Sequence, residues 1–221
     1  MGYREVTRGL RVRNTLHKGF RVNYAIHPCV YEPEEDSFLL ADSLVNAFHN
    51  GLQPNSVIEL GVGSGYISSL IFSLWDPRLF VGTDVNRFAI EATKSSLSMH
   101  ERALKKSSIV VCDRDSCVSD EWTFDLAISN PPYLPVEDEV KDECNELLIR
   151  GWSCKRQCLE GFCASLCKRG RVVFMVLSNL SPLDGVFECM EQFNCKPKII
   201  RKRKVFFEEI LVVMGEHALD D

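Results

Sequence analysis

The chain has 221 residues, a net charge of −5 and 45% hydrophobic residues, enough for one α/β domain with a sizeable core. That charge argues against an unaided nucleic-acid binder, and no stretch approaches the roughly 20 apolar residues of a membrane span. The start lacks an apolar signal core, so secretion is not expected, and the 10 cysteines are expected to remain reduced thiols. Arg4, Arg8, Arg11, Arg13, Lys18 and Arg21 make the start basic. The reading therefore separates a basic N-terminal extension, 1–29, from a single domain, 30–221.

Residues 34–50 read as a helix with acids in its first turn and Asn50-Gly51 as its stop. Ser56-Val57-Ile58-Glu59-Leu60 reads as a short buried strand. It runs into Gly61-Val62-Gly63-Ser64-Gly65, and then into helical apolar spacing from Tyr66 to Phe72. Strand, glycine turn, helix is the opening unit of a nucleotide-binding α/β domain. The spacing is G-x-G-x-G, with Tyr66 where a dinucleotide fingerprint needs another glycine. Glu59 beside the loop suits a cationic amino-acid ligand better than a diphosphate.

Leu79-Phe80-Val81-Gly82-Thr83-Asp84 is the next strand, with its acid placed to accept from ribose hydroxyls. An Asn-capped helix over 86–102 follows. Ser108-Ile109-Val110-Val111-Cys112-Asp113 is another strand closing on an acid, and Phe124-Asp125-Leu126-Ala127-Ile128-Ser129 is a further one. Taken alone, each acid is an ordinary solvated strand-end residue. Together they fall where open α/β sheets bind ligands, beyond the carboxyl ends of the strands.

Asn130-Pro131-Pro132-Tyr133 ends that last strand abruptly. Neither proline offers an N–H, and both discourage helix in the residue before them. Backbone carbonyls there stay open to accept, the Asn side chain adds an acceptor, and the Tyr ring adds a flat face. The result is a clamp for a planar –NH2 group, whether a carboxamide or the exocyclic amine of adenine or cytosine.

Helix is expected over 153–168 and strand over 171–177. Ser181-Pro182 is expected to open a helix, with Ser as cap and Pro at the first position. A terminal pair of strands follows over 198–204 and 205–214. Cys154, Cys158, Cys163 and Cys167 invite a zinc reading. On one helix, however, they divide between opposite faces and cannot converge on a tetrahedral ion, so no metal is expected.

Asn-Pro-Pro-Tyr after a strand resembles motif IV of S-adenosylmethionine-dependent methyltransferases that modify planar nitrogens. The segment Val30-Tyr31-Glu32-Pro33-Glu34-Glu35-Asp36-Ser37-Phe38-Leu39-Leu40 resembles the opening of eukaryotic and archaeal HemK-like glutamine N5-methyltransferases. Those enzymes act on the Gly-Gly-Gln loop of class 1 peptide release factors. The resemblance runs from about residue 30 to 214. It implies a Rossmann-like class I methyltransferase fold: a seven-stranded, mostly parallel sheet with an antiparallel C-terminal hairpin and helices on both faces. It implies that Ser37, Glu59, Gly61, Gly63, Gly65, Asp84, Asp113, Arg114 and Asn130 line an S-adenosylmethionine pocket. It implies that Asn130, Pro131, Pro132 and Tyr133 hold the target amide. One departure stands out: relatives carry a glycine-rich basic stretch after a Trp, whereas this chain reads Arg150-Gly151-Trp152-Ser153-Cys154-Lys155-Arg156.

The resemblance also implies a cytoplasmic or nuclear location and a heterodimer with a small zinc-binding activator. The expected docking site is the edge strand at Ile109-Val110-Val111, since an apolar edge is a liability unless covered. Glu137, Asp138, Glu139, Asp142, Glu143 and Glu146, opposed by Lys141, make the loop after the clamp acidic. At a pocket rim such a loop repels phosphate and favours a basic polypeptide, making nucleic acid unlikely as the direct substrate. Adenine-N6 methylation of nucleic acid and lysine methylation of a basic tail are the competing readings. The basic run Arg201-Lys202-Arg203-Lys204 favours the first of them.

Overall fold

The computed structural model describes residue 7, residues 9–133 and residues 156–217. The acidic loop, the Trp152 segment, Cys154, Arg4 and Arg8 lie outside the described residues. The first strands are β1 (Arg11–His17) and β2 (Phe20–Ile26), an antiparallel hairpin that forms its own small sheet. No strands are expected here from the sequence. Next come α1 (Glu35–His49), β3 (Ser56–Leu60), α2 (Tyr66–Leu74), β4 (Leu79–Asp84) and α3 (Arg87–Leu97). After a 3-10 turn at Ala103–Lys106 the chain forms β5 (Ser107–Val111) and β6 (Phe124–Ser129). The last described part forms α4 (Arg156–Arg169), β7 (Gly170–Ser178), α5 (Leu183–Gln192), β8 (Cys195–Val205) and β9 (Glu208–His217).

Among the described residues the main sheet has 7 strands in the order β5-β4-β3-β6-β7-β9-β8. β5, β4, β3, β6 and β7 are parallel neighbours, and β9 runs antiparallel to both β7 and β8. The expected sheet and its C-terminal hairpin are therefore present. α1, α2 and α3 pack in sequence on one another, and α4 packs on α5, so two helical layers enclose the sheet. Such a sheet buries both faces. Accordingly Val57, Ile58 and Leu60 of β3, Leu126 and Ile128 of β6, and Phe174 and Val176 of β7 are all inaccessible to water.

Several boundaries differ from expectation. α3 stops at Leu97, well short of 102, because Ser98 and the 3-10 turn redirect the chain. α5 has Pro182, not Ser181, at its N-cap, and Ser181 Oγ instead accepts from the Ser178 amide at 3.0 Å. β8 and β9 meet at a tight turn, Phe206-Phe207, which the sequence reading had assigned to a strand. Cys112 and Cys117 are paired as a disulfide, contrary to the expectation of reduced thiols. Cys163 and Cys167 are buried in the apolar core.

The order β4-β3-β6 places the topological switch at β3, where a ligand crevice opens at the carboxyl ends of the strands. Arg169 at the end of α4 organises one wall of that crevice. Its side chain is almost completely buried. Its Nε donates to Asp115 at 2.7 Å, and its guanidinium reaches the carbonyls of Val118, Ser119 and Trp122 at 3.0, 2.6 and 3.1 Å. Burial alone would raise the Asp115 carboxyl, but hydrogen bonds from Ser165 and Arg169 outweigh it and hold the group below its ordinary value. One guanidinium thus replaces water for a whole irregular loop. Arg169→Met is expected to destabilise the fold by about 3 kcal/mol or more, because the Asp115 charge and the loop carbonyls lose their partner. Urea denaturation of wild type and variant checks this, and a loss below about 1 kcal/mol would contradict it.

Candidate active site

The glycine loop begins as β3 ends. Gly61 and Gly65 have φ of 81° and 79°, the left-handed region that side chains rarely adopt. At Gly65 a Cβ would also meet Thr93 and Ser96 of α3 at 2.9 Å, so glycine is what lets α2 start against α3. The loop is held from outside by the N-terminal hairpin. The Ala25 amide donates to the Ser64 carbonyl at 3.0 Å, and the Asn23 amide donates to Ser69 Oγ at 2.8 Å. Asn86 Nδ2 donates to the Cys29 carbonyl at 2.6 Å, while its Oδ1 caps α3. The stretch expected as a basic extension contains the β1–β2 hairpin, and that hairpin supports the loop.

The crevice is a cavity of about 340 Å³. Ser37, Glu59, Gly61, Gly63, Asp84, Asp113, Arg114 and Asn130 all line it. Gly65 sits just outside, at the N-cap of α2. Asp84 Oδ2 accepts from the Gly63 amide at 3.0 Å and Oδ1 from the Asn86 amide at 2.8 Å. Glu59 accepts from Ser68 Oγ at 2.5 Å. Arg114 has φ of 49° and pairs with Asp113 at 3.1 Å. Its guanidinium crosses Gly161 of α4, where a Cβ would lie 2.0 Å from Nη1.

The four residues after β6 divide between two cavities. Asn130 and Pro132 line the first, while Pro131 and Tyr133 line a neighbouring cavity of about 440 Å³. This is the alternation of an extended chain. Tyr31 and Pro33 line both spaces and form the ridge between them.

Asp36, in the first turn of α1, ties this junction together, and the sequence reading gave it no role. It is 4% exposed. It accepts from its neighbour's amide at Ser37 (2.6 Å), from Tyr31 Oη (3.3 Å), from Tyr133 Oη (3.4 Å) and from Asn130 Nδ2 (3.0 Å). A carboxylate can only accept, so it fixes which end of the Asn130 amide is the –NH2. Asn130 Oδ1 is then turned away, buried and, among the described residues, without a hydrogen-bond partner. An unpaired buried acceptor is costly, and it marks a place prepared for a donor. The acid was visible in the sequence, but only the fold shows that it turns inward.

The methyltransferase small domain family matches residues 34–152. The chain belongs to that family. A relative from Methanocaldococcus jannaschii, named a putative protein N5-glutamine methyltransferase, is 31% identical over 196 residues, covering 87% of this chain and 94% of its own. Among solved structures, the E. cuniculi Mtq2–Trm112 complex, described as responsible for methylation of the eRF1 translation termination factor, matches with a TM-score of 0.65. The identity is 23%, with 86% of this chain and 99% of that one covered. The T. thermophilus 16S rRNA N2 G1207 methyltransferase RsmC, solved with AdoMet and guanosine, matches with a TM-score of 0.70 at 18% identity, covering 95% and 51%. The structural likenesses establish a Rossmann-like class I methyltransferase fold.

The first cavity of the methyltransferase fits S-adenosylmethionine by its chemistry. Burial pushes the Glu59 carboxyl up to about 8, with the neighbouring Asp84 charge adding to the effect. Burial likewise pushes Asp84 up to about 6, opposed by the Asn86 and Gly63 amides. Two desolvated carboxyls reject a phosphate and favour a ligand that brings positive charge and hydroxyl donors. Glu59 is thus more easily buried neutral than charged. Its contribution to stability is full below pH 4.5, its ordinary value, and is lost as pH rises through about 8. Glu59→Gln, which cannot ionise, is expected to flatten the fall in stability of the ligand-free protein between about pH 6 and 8. Denaturation midpoints across that range test this, and parallel curves for the two proteins would refute it.

Proposed function

We propose that this methyltransferase transfers a methyl group from S-adenosylmethionine to the side-chain nitrogen of a protein glutamine, that of the Gly-Gly-Gln loop of a class 1 release factor. The observation that carries the reading is Asn130: its Nδ2 is held by Asp36 and its buried Oδ1 has no hydrogen-bond partner among the described residues. The names of the M. jannaschii relative and of the Mtq2–Trm112 structure support the same acceptor.

In this reading Ser37, Glu59, the loop Gly61 to Gly65, Asp84, Asp113 and Arg114 hold the cofactor. S-adenosylmethionine supplies, when bound, an electrophilic methyl group on a sulfonium. An amide nitrogen is a poor nucleophile, because its lone pair is shared with the carbonyl. Asn130 Oδ1 accepts from the acceptor's –NH2 and sets its plane, with the Pro131 carbonyl as a second acceptor. Both oxygens favour the positive charge that develops on nitrogen. Tyr133 and Pro132 confine the amide, so the rate comes from positioning and electrostatics and needs no covalent intermediate. Asp36 acts through Asn130 and Tyr133 as a positioning residue.

The clamp alone also suits the adenine amine. The charge pattern favours a protein. Arg203 is within hydrogen-bonding reach of Glu35 and, at 3.3 Å, of Asp42, Arg201 lies 3.8 Å from Asp42, and Lys202 pairs with Glu209. Most of the basic run on β8 is thus neutralised by the protein's own acids. A lysine ammonium is not planar and does not match an in-plane acceptor pair.

Asn130→Ala is expected to lower transfer to a release factor by at least about a hundredfold while leaving cofactor affinity within a few-fold. Asp36→Ala should show a smaller loss in the same assay. Labelled S-adenosylmethionine, with the modified residue located by mass spectrometry, provides the readout. An Asn130→Ala protein with near wild-type turnover would overturn the clamp, and label on DNA or RNA adenine would replace the acceptor.

The reading includes a heterodimer with a small zinc-binding activator, in the cytoplasm or nucleus. Among the described residues β5 is the edge strand, paired only to β4 within the sheet, and Val110 and Val111 are 40% and 55% exposed. A partner strand added there covers the apolar edge. The isolated chain is expected to be poorly soluble, and Val110→Pro or Val111→Glu to abolish co-purification with the activator. A monodisperse, fully active single chain would refute this.

A further inference from the structure

The second cavity lies on the far side of the clamp from the cofactor, and its outer wall is the turn between β8 and β9. Val205 pairs with Glu208 across that turn, leaving Phe206 and Phe207 as its two-residue loop. Such loops favour Asn, Asp or Gly, because they require positive φ. Here Phe206 adopts φ of 47°, and the two rings are 90% and 98% exposed. Two phenylalanines in water at a strained turn contribute nothing to the fold. A local rule broken without benefit to folding points to function.

The rest of the cavity is acidic. Glu34, Glu35 and Asp36 enter it from the start of α1, and Glu208 enters from β9. Glu208 Oε2 is enclosed and, among the described residues, has no hydrogen-bond partner. Burial, followed by the nearby carboxylates, pushes the Tyr31 and Tyr133 hydroxyls far above their ordinary value. Arg203 of β8 pairs with one of these acids, Glu35, and with Asp42, which is not part of the lining. The space therefore offers apolar rings at its mouth, carboxylates in its walls and one acceptor without a donor.

We propose that the second cavity, with Phe206 in its lining and Phe207 beside it on the same turn, is the docking groove for the polypeptide segment that carries the acceptor. The segment it fits is partly apolar and positively charged: an apolar side chain rests on the two rings, and a cationic one donates to Glu208. Pro131 and Tyr133 line the same cavity, so a chain seated there passes directly over the clamp. An acidic groove repels a phosphate backbone, which excludes nucleic acid as its occupant. The inference rests on the reading that the acceptor is a protein amide.

The test measures methyl transfer by the activator-bound enzyme to a purified class 1 release factor and, separately, to an RNA hairpin. The variants are Phe206→Ser with Phe207→Ser, and Glu208→Gln alone. Each is expected to raise KM for the release factor about tenfold, as loss of a hot-spot side chain does, with the change in KM rather than kcat and with cofactor affinity unaltered. Glu208→Lys should raise KM further, since it reverses the charge of the wall. Wild-type enzyme that labels RNA or fails to label the release factor would overturn the acceptor reading, and the groove with it. Wild-type enzyme that labels the release factor, beside variants with unchanged KM, would overturn the groove alone. Because the Phe206 and Phe207 side chains are almost wholly in water, their replacement leaves the core intact, and circular dichroism of each variant checks this.

Discussion

The Asp36 carboxylate is the contact on which the site depends. It sits in the first turn of α1, buried, and collects donors from Tyr31, Ser37, Asn130 and Tyr133. A buried charge survives only when its lone pairs are taken up. The same need that gathers those donors also aligns them. Asn130 has one way to face, and its oxygen is left for a ligand. The strand end at β6 and the helix start at α1 are far apart in sequence, and a single carboxylate joins them into one rigid wall.

Behind that wall the electrostatics are graded. Glu59 and Asp84 lie at the carboxyl ends of central strands, where burial favours their neutral forms. A cationic ligand with hydroxyl donors offsets that burial penalty by favouring the ionised carboxyls, so its binding is coupled to their loss of a proton. The clamp residues alternate between the cofactor side and the outer cavity, and Tyr31 and Pro33 form the ridge. In the proposed function, cofactor and acceptor occupy these two separate spaces and meet at the clamp. In the proposed function the carboxyls of the outer cavity suit a basic polypeptide.

The flanking segments have supporting parts in this arrangement. The hairpin of β1 and β2 hydrogen-bonds the glycine loop and the start of α2, so the positive φ values of that loop are held from outside. Arg169 does the same for the loop after β5, which delivers Asp113 and Arg114 to the cavity. Both are irregular segments whose backbone groups would otherwise need water, and both are satisfied by a donor or acceptor from another element.

Local sequence determined the sheet, the glycine turn and the clamp, because each depends on interactions between near neighbours. Apolar runs that alternate with helical spacing dictate parallel strands and crossover helices. Gly61 and Gly65 are required by their own backbone angles, and Asn130-Pro131-Pro132-Tyr133 stops a strand without outside help. Residue type alone left the hairpin of residues 11–26 unread, since β1 exposes apolar Val12 and Leu16 among polar residues and only β2 rests extensively on α2 and α3. It also left Asp36 looking like one more acid at a helix start, and Phe206 and Phe207 looking like the middle of a strand. Those three were decided by tertiary structure, because each depends on a partner distant in the chain: the orientation of Asp36 by Asn130 and Tyr133, the hairpin by Ser64 and Ser69, and the exposed turn by the pairing of β8 with β9.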